Sequence, residues 1–136
     1  MKKIFDVVIL AAAVADYTPE YYSRSKIASN KKNFVLRLKQ TPKIIDEIKK
    51  MQKDVFLVGF KAETNLSKKK LEELARKKMK EAKADLIIAN DIGVKYQKNP
   101  DYNEIILVNS EKTVSSGWKR KEKLAKIIRK QLEKIL

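Results

Sequence analysis

The chain has 136 residues and 43% hydrophobic content, enough for one buried core and too little for a second full domain. It contains no cysteine and no histidine, which excludes disulfides, Cys/His zinc sites, thiol nucleophiles and His-based triads, and leaves any chemistry to Asp, Glu, Lys, Asn or backbone groups. The 32 Lys and Arg against 17 Asp and Glu give a formal +15, which suits nucleic acid or polyphosphate ligands, or a solvated Lys- and Glu-rich surface of the hyperthermophile kind.

In chain order, the apolar and β-branched residues 5–11 predict a first strand, which leads into a loop holding Asp16, Pro19 and tyrosines. Lys26-Ile27-Ala28 and Phe34 to Leu38 flank the polar Ser29-Asn30-Lys31-Lys32 and predict an inserted antiparallel hairpin. Thr41 as N-cap and Pro42 as first helical residue open a helix with Ile44, Ile45 and Ile48 on its apolar face. A second strand is predicted over 55–60. Ser67 then caps a long helix with Leu71, Leu74, Ala75 and Met79 at helical spacing, before a third strand over 85–89.

That alternation predicts parallel strands joined by right-handed crossovers. Gly93 to Asp101 reads as an irregular loop, Glu104 to Val108 as a further strand with residues 112–116 as its hairpin partner. Lys119 to Ile135 reads as a helix with Leu124, Ile127, Ile128, Gln131, Leu132 and Ile135 along one stripe. The fold class is therefore α/β, a Rossmann-like three-layer fold with a mainly parallel sheet and antiparallel hairpin insertions in a single domain. No apolar run reaches the ~18 residues of a membrane span, and Met1-Lys2-Lys3 leads into a strand pattern instead of a signal peptide, so a cytoplasmic protein without a membrane partner is expected.

Three of the strands end in polar signatures: Ala12 to Tyr17, Gly59 to Thr64, and Asn90-Asp91. Ligands of open α/β sheets bind beyond the carboxyl ends of the strands, so these segments are the expected site. With only Gly59, Gly93 and Gly117, the chain holds neither the dinucleotide-binding glycine spacing nor a P-loop.

Ala11 to Tyr17, Lys26-Ile27 ten residues after Asp16, Gly59 to Thr64 and Ala89 to Ile92 together resemble phosphopantothenate-cysteine ligase, across essentially the whole chain. The resemblance implies a step of coenzyme A synthesis, in which CTP (ATP in the animal members) activates the carboxylate of 4'-phosphopantothenate as an acyl nucleotide and cysteine then displaces the nucleotide. It implies Lys26 as the catalytic cation, Asp16 as nucleotide contact and Mg2+ ligand, and Leu10, Ala11, Ala12, Pro42, Lys43, Ile44, Ile45, Phe60, Lys78 and Ala82 at nucleotide positions. Ala12, Ala13, Asn90 and Asn103 fall at substrate positions, Asn103 reaching pantothenate across a dimer.

Two departures from the family pattern stand out. Lys43 replaces an acidic residue, and Ala82 stands where the family has a second lysine, with Lys80 and Lys83 nearby. The resemblance further implies a homodimer, association or fusion with phosphopantothenoylcysteine decarboxylase, and a C-terminal portion whose phosphate-loop unit lies upstream. A basic nucleic-acid module and a purely structural dimerisation fragment are the alternatives that composition leaves open.

Overall fold

A computed structural model describes residues 5–135, and the chain divides into two compact units, residues 12–44 and the remainder. The larger unit is built on a five-stranded sheet. Its strands are β1 (Val7–Leu10), β4 (Phe56–Glu63), β5 (Leu86–Asp91), β7 (Ile105–Val108) and β8 (Thr113–Ser115), in that spatial order. β1, β4 and β5 run parallel, while β7 and β8 add an antiparallel edge, as the sequence predicts. β5 is central because Leu86-Ile87-Ile88-Ala89 is apolar on both faces, and all four residues are buried.

Strand alternation sorts the core into two clusters. Leu57, Ile87, Ala89, Ile106 and Val108 face α2 (Lys68–Ala82) through Leu71, Ala75 and Ala82, joined by Ile45 and Ile48 of α1 (Ile44–Met51). Val58, Leu86, Ile88, Ile105 and Leu107 face α4 (Lys121–Glu133) through Leu124, Ile127, Ile128 and Leu132. The unit is thus helix, sheet, helix in three layers.

Ser67 caps α2 as expected, its hydroxyl accepting from Lys70 N at 3.2 Å. Ser67→Ala is expected to cost about 1 kcal/mol, read as a lowered midpoint in chemical denaturation with an unchanged slope.

Several boundaries differ from the sequence reading. α1 starts at Ile44, two residues later than Thr41-Pro42 predicts, because the Thr41 hydroxyl donates to Ala15 O instead of capping the helix. Ile44 is consequently exposed and off the apolar face. The 93–101 loop contains a short helix, α3 (Val94–Lys98). The predicted last helix loses its first two residues to β9 (Lys119–Arg120), which pairs antiparallel with β6 (Tyr102–Asn103).

The smaller unit carries one two-stranded antiparallel ribbon, β2 (Tyr17–Pro19) with β3 (Leu38–Gln40). The hairpin predicted at 26–28 and 34–38 is therefore displaced outward. Glu20 N donates to Arg37 O and Thr41 N to Asp16 O, extending the ladder from the base of the excursion, while residues 26–37 form no strand. Alternation over 34–38 suggested a strand, but without a partner sheet to cover it, Val35 stays 85% exposed.

Candidate functional site

β1 ends at Leu10 opposite Gly59, whereas β4 continues to Glu63, paired with Asp91 of β5. The extra residues of β4 thus form a ledge beyond the end of β1. Phe56 N donates to Asp6 O, so the even-numbered residues of β4 turn their backbone groups toward β1. At Ala62 those groups have no strand partner on that side among the described residues.

Alternation divides the ledge. Phe60 and Asn90 project from the face that carries α4, continuing the rows Phe56-Val58 and Leu86-Ile88. Phe60 is 38% exposed and Asn90 partly so, leaving an aromatic ring and an amide on one side of neighbouring strand ends. Lys61 and Glu63 project from the opposite face and pair at 2.6 Å.

On that opposite face, Lys78 reaches from α2 to Asp46 in the first turn of α1, Nζ to Oδ1 at 3.3 Å, with only 16% of its side chain exposed. Leu10 and Ile45 pack against the same core cluster, and the Cδ1 atoms of Ile45 and Ile87 fill the space that a side chain on Gly59 would need. Leu10, Ile45 and Lys78 are therefore gathered at one level of the fold, apart from the face of Phe60 and Asn90. The sequence reading missed Asp46, whose signal was an acid in the first helical turn.

Ala82 is a correction. At 2% exposure it sits in the core cluster beneath α2 and presents no surface to a ligand, because an alanine at this buried helix position packs where a lysine would extend. Asn103 is also placed apart from Asn90. It lies in β6, is 5% exposed, and its Oδ1 accepts from Glu104 N at 2.7 Å on the α2 side of the sheet.

Asp91 serves the loops. Its carboxylate accepts from the backbone N–H groups of Asn65, Leu66 and Gly93, while Asn65 Oδ1 accepts from Val94 N. Burial pushes its pKa up, but the three N–H bonds outweigh that and hold it below the ordinary carboxylate value.

Within the 12–44 unit, Ala12, Ala13, Asp16, Lys26, Pro42 and Lys43 are all exposed. Lys26 lies in irregular backbone, and neither it nor the Asp16 carboxylate makes a hydrogen bond or ion pair among the described residues. Ala11, in the larger unit, is likewise exposed just beyond the end of β1.

The coenzyme A biosynthesis bifunctional protein CoaBC of Thermococcus kodakarensis is 41% identical over 134 residues, 98% of this chain and 32% of its own length, so the chain spans about a third of that relative. The crystal structure of the DNA/pantothenate metabolism flavoprotein from Streptococcus pneumoniae superposes with a TM-score of 0.81 at 30% identity, covering 96% of this chain and 64% of that one. A Cab2 mutant in complex with phosphopantothenate-cysteine shares the fold, with a TM-score of 0.56 at 21% identity over 84% of this chain and 37% of that one. Residues 1–136 match one family throughout, and this chain belongs to it: the DNA/pantothenate metabolism flavoprotein C-terminal domain.

Proposed function

We propose that this chain carries nucleotide- and substrate-contacting parts of a ligase that joins 4'-phosphopantothenate to cysteine in coenzyme A biosynthesis, through an acyl-CMP intermediate formed from CTP. The observation that carries the reading is the ledge: an exposed ring, Phe60, and a half-buried amide, Asn90, on one face where β4 and β5 outrun β1. A ring there covers a base or ribose and an amide binds the polar substrate. The relative named for coenzyme A biosynthesis and the Cab2 complex with phosphopantothenate-cysteine support the substrate class.

The chemistry suits a chain without His or Cys. Attack of a carboxylate on an α-phosphate brings anions together and needs cationic clamping more than a protein nucleophile. Lys26 supplies an unpaired ammonium for the phosphates. The residues fit Mg2+ only as a passenger on the nucleotide: the described residues hold no cluster of three acidic ligands, and the exposed Asp16 gives the single carboxylate that a phosphate-bound Mg2+ requires. Such an ion would offset phosphate charge.

Turnover is expected only together with the phosphate-loop segment that the resemblance places upstream. The same reading makes the protein cytoplasmic, and the bifunctional name of the relatives suits a decarboxylase partner. Self-association fits the smaller unit, where Tyr17, Tyr21, Tyr22, Phe34, Val35 and Leu36 are exposed together.

A thermal-shift comparison with Mg-CTP and Mg-ATP at low and high salt tests this. Binding at about a hundred times Kd adds roughly 2.7 kcal/mol, so CTP is expected to raise Tm by several degrees, persistently at high salt. Phe60→Ala and Asn90→Ala should reduce the response to CTP and to 4'-phosphopantothenate respectively. Equal rises with any polyphosphate that vanish at high salt would sink the reading in favour of a merely basic surface.

A further inference from the structure

A second feature lies on the α2 side of the sheet. A cavity of about 210 Å³ opens between the start of α2, α3 and the β6–β9 ribbon, with Leu71 and Ile106 at its floor and Trp118 and Tyr96 in its wall. Asp91 lines it while Asn90 projects from the other face, so the sheet separates it from the face that carries Phe60.

Around this cavity, three cations lie over aromatic rings: Lys95 Nζ 4.1 Å from the centroid of Trp118, Lys121 Nζ 5.0 Å from Tyr96, and the Arg120 guanidinium 5.6 Å from Tyr102. Each ring thus has a cation held against it. The carboxylates of the lining are already engaged. Glu104 pairs with Lys68 at 2.6 Å and accepts from Ser115. Its pKa is lowered, since burial pushes it up but Lys68, Ser115 and Lys95 outweigh that. Asp91 is held by its three N–H groups. Neither Lys95 nor Lys121 makes an ion pair among the described residues; Lys121 donates to Tyr96 Oη at 2.9 Å and Lys95 lies in the field of Glu104, and each keeps ammonium N–H groups for an incoming anion.

One buried polar group adds direction. Asn103 lines the cavity, is 5% exposed, and its only side-chain hydrogen bond among the described residues is through Oδ1. Its NH2 group reaches solvent and can donate to whatever enters. Aromatic walls, an amide donor and rim cations are the elements that bind a stacked base with its phosphate. The volume is below the ~300 Å³ lower bound of drug-sized pockets, so it takes the base alone and leaves the phosphate at the rim.

We propose that this cavity is a second ligand site, in which the base of a mononucleotide enters against Trp118 while Lys95 and Lys121 hold its 5'-phosphate. Trp118 is the only tryptophan of the chain, so its fluorescence reports on this site alone. AMP is expected to change that fluorescence saturably in the wild type and equally in Phe60→Ala, which separates this site from the ledge. Ribose 5-phosphate, lacking the base, should bind at least tenfold more weakly. Lys95→Ala should weaken AMP about tenfold, the scale of a partly desolvated cation–aromatic contact, and Lys95→Arg should restore most of it. No saturable change with AMP overturns the proposal. So does equal binding of ribose 5-phosphate, loss of the signal in Phe60→Ala, or tighter binding of single-stranded oligonucleotide than of AMP.

Discussion

Gly93→Ala is expected to destabilise the protein by roughly 3 kcal/mol and to lower Tm by about 10 °C. A Cβ on Gly93 would stand 2.7 Å from Asn65 Cγ and 2.8 Å from Asn65 N, and would press on Asn65 Oδ1. None of these atoms can move cheaply. Asn65 sits at φ +57, its N–H is held by Asp91, and its Oδ1 is held by Val94 N. Displacing it would take from the Asp91 carboxylate one of its three N–H donors at the joint between β5, α2 and α3. Gly117→Ala is the control. Gly117 has φ +67 but open space around it, so only the left-handed backbone is strained and the cost is about 1 kcal/mol. Equal losses for the two variants, measured by thermal and urea unfolding, would show that the packing of Gly93 against Asn65 carries no special weight.

The core elements were legible because their signals are local and redundant. The run over β5 can only be a strand buried on both faces, and Ser67 followed by helical spacing leaves little choice for α2. The smaller unit was misread for a definite reason. Alternation at Phe34 to Leu38 predicts a strand wherever a partner exists, and pairing instead begins at the base of the excursion, where residues 17–19 meet 38–40. Local pattern does not encode which segment supplies the partner.

The ledge was legible for the same reason as the core: polar residues follow the apolar runs, Lys61 to Thr64 after Phe60 and Asn90-Asp91 after Ala89. What chain order concealed was the sorting by face. Asn90 and Asp91 are neighbours in sequence yet project to opposite sides of the sheet, and only Asp91 is committed to backbone donors. The cavity beside Trp118 was illegible, because its walls come from residues 65–71, 91–96, 103–106 and 118, which only the β6–β9 pairing gathers.

Lys26→Gln is expected to slow acyl-nucleotide formation by about 10²–10³-fold, the usual loss when one charge-stabilising donor is removed from a site where anions meet. The lysines differ in how far their charge is already answered. Lys49 is bound to Asp85, Lys61 to Glu63, Lys68 to Glu104 and Lys78 to Asp46, so each arrives with its charge largely answered. Lys26 is exposed and has no carboxylate partner among the described residues, which leaves its full charge for triphosphate oxygens. The check is pyrophosphate release from CTP with 4'-phosphopantothenate, in a chain that also carries the upstream phosphate-loop segment. Lys26→Arg should retain part of the rate, since it keeps the charge and alters its geometry. Lys78→Ala should raise the CTP requirement more than it lowers the maximal rate, because its ammonium is shared with Asp46 before any ligand arrives. An unchanged rate in Lys26→Gln would remove Lys26 from the chemistry and leave it as a surface cation of a highly basic chain.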